Sequence, residues 1–516
     1  MALPWIKAKW AALRGREGNP VLVKESRQAV RNRTLLAVFC LLLAGLCIGG
    51  YFYLMTAVMS HSYSPGRSMA EMMPGLMFFS MVTWILHMAV AVGSVVTFFR
   101  AKGERESGRV DLLYVTTLAP GAIVRGKLGA ALGFACMMVS AGLPFMTVAY
   151  LLRGVSLVQI GLGILSLVLF AVVTNLWAIL AGVMPLTGVI KHIFYWGSSV
   201  FGSFFLFGAA SSMLIMWSMS GMSGYGRGGS LSLPVLQWVG GLLSVVTITG
   251  VLYAAAVFFL SPATSNRSKP LRWTLTALVA CWLALALVAG IGSMRGDEWF
   301  YISVVVIHIL ALVGLFLGLD VEKMSRRILR AVPSHAAGRL YGALFFNGAY
   351  SGMLWTALVM GVGLLVVLVG WATGKDVGRM GQVLLLMDGY LLVYALGGQY
   401  VNGLIRKQFP RVSPVATFLA FIITAGMLPL IASSVMMVSR SINEPDVPIL
   451  GCFLAGVWPL QGKGYMGVHL LFILAAAAVG VSLNRRGIQT WWGDLRGLGC
   501  VTTEPTDVAG HAAEPG

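Results

Sequence analysis

The chain has 516 residues, 58% of them hydrophobic and only 11% charged, with a mean hydropathy of +0.84. Soluble domains carry about a quarter of their residues as charges, so this composition excludes one, and the expected fold class is an all-α polytopic membrane protein. The formal charge of +19 reads as a positive-inside bias and attraction to anionic headgroups; no aromatic-plus-basic module accompanies it, so nucleic acid is not an expected partner.

Residues 1–33 are polar and basic, and the apolar run after them is too long for the h-region of a cleavable signal, so the segment is expected to stay attached on the cytoplasmic side. Within it Asn19 is a good cap residue and Pro20 suits the first helical position, which predicts a helix over Asn19–Arg33. Leu22, Val23, Ser26, Ala29 and Val30 fall on one face, and Lys24, Arg27, Gln28 and Arg31 on the other. That is the pattern of an amphipathic helix lying in the membrane interface with Lys24, Arg27 and Arg31 toward headgroups. A plain basic flank that sets topology needs the same charges.

A bilayer core about 30 Å thick takes roughly 20 apolar residues per helical crossing. Twelve runs meet or approach this: 34–58, 73–99, 128–151, 155–185, 193–217, 235–260, 272–293, 299–319, 353–372, 381–404, 412–438 and 464–484. They are continuously apolar, which predicts helices and not the alternating strands of a barrel. With the N-terminus inside, 29 of the 37 Lys and Arg residues fall in cytoplasmic segments, the bias that orients inner-membrane proteins. Both termini are therefore expected in the cytoplasm of a cell bounded by this membrane, a bacterial inner or plasma membrane.

Ser261–Arg272 is polar and turn-forming and divides the spans into two sets of six. The expected organisation is a six-span module over 34–262, a cytoplasmic linker at 263–272, a second six-span bundle over 273–484 and a cytoplasmic tail over 485–516. The tail opens with Arg485, Arg486, Trp491 and Trp492, suited to an interfacial anchor, and ends in a mixture expected to be disordered. The six cysteines are never spaced as CxxC, which speaks against a zinc site or a disulfide framework.

Between the second and third runs lies ERESGRVDLLYVTTLAPGAIVRGKL, Glu104 to Leu128. It mixes acidic Glu104, Glu106 and Asp111 with basic residues. Gly108 and the Pro120–Gly121 pair are expected to make turns on either side of a short amphipathic segment that includes Leu112 and Leu113, before Lys127 re-enters the membrane. Together with the NPVLVKESRQAVRNR helix and the two spans before it, this segment resembles the permease subunits of ABC transporters of the type-2 exporter class. Their form of it is an E-x-E-x-G-T-hydrophobic run, a short turn and a Gly-Lys pair. Glu104, Glu106, Ser107, Gly108, Leu112, Leu113, Pro120, Gly126 and Lys127 match; Arg109 replaces the common Thr, and Asp111 stands where Glu is frequent. The resemblance covers about the first 260 residues. It implies that loop 100–127 is a coupling element docking on a separate ATPase subunit through Glu104, Glu106, Gly108, Asp111, Leu112, Leu113, Pro120 and Lys127. It also implies a second permease module, a further copy of this chain or another one.

Gly121–Leu128, GAIVRGKL, comes within one residue of the phosphate-binding G-x-x-x-x-G-K-[ST] pattern, but Leu128 replaces the Mg²⁺-binding hydroxyl and a membrane span follows. No cofactor is expected in this chain, then; ATP and Mg²⁺ would be bound by the partner. Asp388 in the tenth run and His87 in the second are intramembrane ionisable groups, candidates for a transport path, with His308 in the eighth run beside them; helix packing is the alternative for each histidine. Gly45 and Gly49 form a GxxxG pair suited to close helix contact. Ion-coupled secondary transport and a non-transporting membrane scaffold remain the competing readings, and no cluster of catalytic residues at a membrane boundary points to an enzyme.

Overall fold

The computed structural model describes residues 19–31, 33–63, 73–107, 118–152, 155–185, 191–193, 195–197, 235–262, 265–291, 297–318, 328, 330, 332, 335–408 and 466–496. Among them every regular element of length is an α-helix: α1 (Pro20–Val30), α2 (Arg33–Tyr63), α3 (Met73–Glu106), α4 (Pro120–Leu151), α5 (Leu157–Val183), α6 (Val235–Leu260), α7 (Ser268–Ile291), α8 (Asp297–Gly318), α9 (Ala336–Phe345), α10 (Ala349–Ala372), α11 (Gly378–Gln408), α12 (Met466–Leu483) and α13 (Arg485–Leu495). Ten of these, α2 to α8 and α10 to α12, are long and apolar enough to cross a membrane. The two other expected runs, 193–217 and 412–438, lie almost wholly outside the described residues.

Local chemistry sets several boundaries. The Asn19 side chain accepts from the Val21 amide at 3.1 Å, and Pro20, which has no amide hydrogen to leave unpaired, opens α1. Ser156 and Gln159 form a reciprocal capping box at the start of α5. Pro120 is the first residue of α4, so the helix begins a full two turns before the apolar run at 128, and Pro120–Gly121 is a helix start instead of the expected turn. Pro185 follows the end of α5 and terminates it, whereas α4 continues through Pro144.

The chain divides into two compact units, one made of residues 1–235 and 244–262, the other of 236–243 and 263–516. In the first unit α3 is the central helix. Val82, Leu86 and Val90 on α3 are buried among Leu42 and Leu46 of α2, Met138 and Met146 of α4 and Leu167 and Phe170 of α5. Small residues set these distances. A side chain at Gly142 would meet Leu86 at 2.5 Å and one at Gly163 would meet Phe79 at 2.6 Å, while the Gly45–Gly49 pair faces Ile85 and Met81 of α3. Backbones that approach through glycine gain contact where lipid supplies no hydrophobic drive. Large apolar side chains such as Leu36, Leu41, Phe52 and Leu151 are exposed on the outside, the arrangement of a protein whose surroundings are themselves apolar.

In the second unit Phe300 and Val304 of α8 pack among Ala286 and Ala289 of α7, Val366 and Val367 of α10 and Leu384 of α11. Arg272 is fully buried on α7; one of its terminal nitrogens donates to the carbonyls of both Leu344 and Phe346 at 2.8 Å, at the C-terminal end of α9. These are carbonyls that a helix end leaves without internal partners. The turn continues through Gly348, whose φ of 136° is open to glycine and strained for other residues. Asn347 then clamps the start of α7 by accepting from the Ser268 amide and donating to the Ser265 carbonyl, both at 2.9 Å. The linker expected at 263–272 therefore ends in a helix from Ser268, with Arg272 inside the protein instead of in a solvated loop. Replacing it by Arg272→Met orphans the carbonyls it serves, and thermal unfolding in detergent should register a loss of about 3 kcal/mol. Arg272→Lys, lacking the fork of donors, should recover only part of this.

Candidate functional site

The site grows from the end of α3 and the start of α4, the two helices that bracket residues 107–119. Gly126 on α4 has no side chain, and one placed there would lie 2.8 Å from Val21 Cβ and 3.0 Å from the Leu22 amide nitrogen. Helix α1 can therefore lie directly on α4. Asn19 fastens its start by donating from Nδ2 to the Ala122 carbonyl at 2.6 Å. This docking selects the face that α1 buries. Val21 and Glu25 are covered, while Val23, expected on the apolar face, is 43% exposed. The helix is turned so that the residues nearest Gly126 and Gly129 point inward, a rotation that hydrophobic pattern alone did not specify.

With α1 seated, five charges meet. Lys127 Nζ lies 2.7 Å from Glu25 Oε1 and 2.6 Å from Glu104 Oε2. Lys24 Nζ reaches the other Glu104 oxygen at 2.9 Å, and an Arg100 terminal nitrogen stands 3.7 Å from Glu25 Oε2. Lys127 and Glu25 are only 5% and 6% exposed at their side chains. A carboxylate so covered is tolerated only with a charge partner, and here each carboxylate has two. The knot ties the N-terminal helix (Lys24, Glu25), the end of α3 (Arg100, Glu104) and the start of α4 (Lys127) into one body at the two helix ends that flank residues 107–119.

Other groups brace the same end of α3. Lys102 lies 2.5 Å from His192 Nε2 and 3.6 Å from Glu106. Lys191 is buried and donates to the Gly182 carbonyl at 2.6 Å. Burial pushes its ammonium down to about 8, with Lys102 and Arg105 adding to the effect and the Glu106 carboxylate opposing it. Arg105 donates to the Phe259 carbonyl at 3.2 Å, and Arg125 to the Tyr253 hydroxyl at 3.1 Å, so α6 is fastened to both helices.

Of the residues expected to dock a partner, Glu104 and Lys127 are in the knot, Pro120 opens α4 and Glu106 is exposed. Gly108, Asp111, Leu112 and Leu113 lie outside the described residues. On α1, Pro20 is at the first position, Lys24 pairs with Glu104, and Arg27 and Arg31 are exposed. Segment 121–128 is continuous helix with its lysine held by two carboxylates, so these residues do not fit a phosphate cradle. Glu25 and Arg100 escaped the sequence reading. The signal was there for Glu25, which shares a helical face with Val21 and Ala29 at spacings of four.

The intramembrane groups sit elsewhere. His87 is buried on α3, its Nδ1 2.8 Å from the Thr83 carbonyl and its ring edge-on to Phe170. In the second unit Asp388 of α11 is buried and lies 3.1 Å from Nε2 of His308 on α8. The His308 Nδ1 is 2.8 Å from the Val304 carbonyl, which can only accept, so Nδ1 carries a hydrogen and Nε2 is the atom turned to Asp388. Gly363 of α10 leaves the space that the imidazole fills. Two residues along α11, the Tyr390 hydroxyl meets His469 Nδ1 of α12 at 2.7 Å.

Ten helices of membrane-crossing length and apolarity, with apolar side chains outward and paired charges inward, define a multi-pass helical membrane protein. Comparison with protein-family models, with curated proteins and with solved structures returns no match for this chain.

The knot makes a ranked prediction. Lys127→Met leaves two covered carboxylates without their shared cation and should cost about 3–5 kcal/mol in thermal or denaturant unfolding, whereas Lys24→Met, at a half-exposed ammonium, should cost under about 1 kcal/mol. The reverse ranking would show that the knot does not hold α1 in place.

Proposed function

We propose that this protein is the membrane-spanning permease subunit of an ATP-driven ABC transporter of the type-2 exporter class, resident in a bacterial inner or plasma membrane with both termini in the cytoplasm. The observation that carries the reading is the knot at the base of the loop between α3 and α4. The loop's sequence resembles a coupling element, and its two ends are held together by Glu104 and Lys127. A separate ATPase docks on Glu106 and on residues 108–117. ATP-driven closure of that partner displaces the loop, and because Glu25 and Lys24 join α1 to both loop ends, α1, α3 and α4 move together. Glu104 and Lys127 then serve to transmit force, with Glu106 and residues 108–117 making the contact. Since α3 packs on α2, α4 and α5, a tilt of its end reaches the whole first unit.

In this reading the full chain has twelve spans, the first six forming the permease module and the second six an accessory bundle. A second copy of the module completes the transporter, α1 lies in the membrane interface, and transport is outward.

The reading is tested by purifying the full-length protein from its native membrane in detergent. Wild type should bring an ATPase with it, and Glu106→Arg combined with Gly108→Pro should lose most of the associated activity. Glu104→Gln, which loosens the knot and leaves Glu106 and residues 108–117 unchanged, should keep the ATPase bound but weaken its coupling to transport. Folded wild-type protein that carries no ATPase would remove the proposal.

Ion-coupled transport is supported by one observation of its own, the buried Asp388–His308 pair joining two membrane-crossing helices. Asp388→Asn keeps a donor toward His308 Nε2 and removes the carboxylate. Transport in vesicles that is abolished by this variant, and that follows an imposed ion gradient without ATP, would favour this second reading over the first.

A further inference from the structure

Arg100 is the cation of the knot whose donors are left over. It comes no closer than 3.7 Å to Glu25, beyond hydrogen-bond length, and among the described residues it donates no hydrogen bond. Yet its side chain is only 23% exposed. A guanidinium offers five N–H donors in a rigid fork suited to phosphate or carboxylate, and none of the Arg100 nitrogens is sealed in, so the fork is open to an incoming acceptor.

Arg100 lines a cleft bordered by α1 to α5, whose polar residues also include Glu25, Lys127, Thr97 and Asn175 and whose wall includes Ala131 and Phe134. Thr97 and Asn175 do not supply the missing acceptor. The Thr97 hydroxyl donates to Asn175 Oδ1 at 2.9 Å, and the Asn175 amide donates to the Ala171 carbonyl at 2.9 Å. Nor does the charge balance close within the knot. Among the described residues Lys24, Lys127 and Arg100 face only Glu25 and Glu104, so one positive charge stands in excess there, next to an otherwise apolar wall.

We propose that this cleft binds the phosphate of an anionic phospholipid from the leaflet in which Arg100 lies. Phosphodiester oxygens match the guanidinium fork, and only a headgroup with no cation of its own, such as phosphatidylglycerol, brings a net negative charge to balance the knot, whereas the choline of phosphatidylcholine already neutralises its phosphate. The space in the cleft is about 30 Å³. That admits headgroup oxygens or a few waters; in the proposed mode the acyl chains stay in the bilayer beside α4 and the lipid is a fixed part of the knot. This inference stands on Arg100 and the cleft and does not depend on whether an ATPase docks on the loop.

The test is native mass spectrometry of the full-length protein released from bilayers containing equal phosphatidylglycerol and phosphatidylcholine. Wild type should retain phosphatidylglycerol in preference, and Arg100→Gln should reduce that preference about fivefold, the effect of one cation near a headgroup. Arg100→Lys should keep part of it. Ala131→Leu fills the cleft while leaving all five charges in place and should lose the preference as well; it carries the test alone if Arg100→Gln does not fold. Retained preference in a folded Arg100→Gln or Ala131→Leu protein overturns the proposal, because water then suffices for Arg100. Excess inorganic phosphate should leave the lipid preference intact. If it abolishes the preference, the site belongs to a free anion and the lipid assignment fails.

Discussion

Lys127, a lysine covered by protein and shared between two carboxylates from two other helices, is the interaction on which the architecture of the first unit around α1 depends. It works only because Gly126, one residue earlier, lets α1 come within van der Waals contact of α4. Without that approach Glu25 would not reach Lys127, and α1 would be an unattached basic helix. The pair of adjacent residues thus performs two jobs: the glycine sets a distance and the lysine supplies the charge that makes the distance favourable. A buried ion pair is weak evidence for net stability, since desolvation opposes the Coulomb attraction. Its value here lies in specificity: only one rotation of α1 puts Glu25 against Lys127.

The two units solve the problem of joining helices in an apolar medium by different means. In the first, glycines at positions 142 and 163 let Leu86 and Phe79 of the central helix sink into its neighbours, and the charges gather at one end. In the second, polar links run through the packed helices themselves, Asp388 to His308 and Tyr390 to His469, while Arg272 closes off the carbonyls at the end of α9. Each is a group that lipid cannot satisfy. Placing the partners on different helices turns that penalty into a constraint on which helices can pair and in what register.

The knot also links the bilayer to the proposed coupling route. Its excess positive charge sits beside an apolar wall, the setting in which a lipid phosphate and a protein guanidinium satisfy each other. A bound headgroup would stiffen the ends of α3 and α4, so that in the proposed coupling a displacement of residues 107–119 would pass to both helices as a rigid tilt instead of being absorbed by rearrangement of side chains.

Composition and run length by themselves determined that this is a helical membrane protein, where most ends of ten membrane-crossing helices fall to within several residues, the start of α4 and the end of α3 excepted, and that α1 starts at Asn19–Pro20. Those features follow from local causes: apolar length against bilayer thickness, a cap side chain, and a proline without an amide hydrogen. Tertiary structure decided what periodicity could not, namely that Glu25 faces inward and Val23 outward, that Lys127 belongs to an internal network, and that Arg272 is buried in a helix and not solvated in a linker. It also decided that Asp388 pairs with His308, eighty positions earlier in the chain. Each of these depends on which helix lies opposite, and that is set by where a glycine on one helix allows the backbone of another to approach.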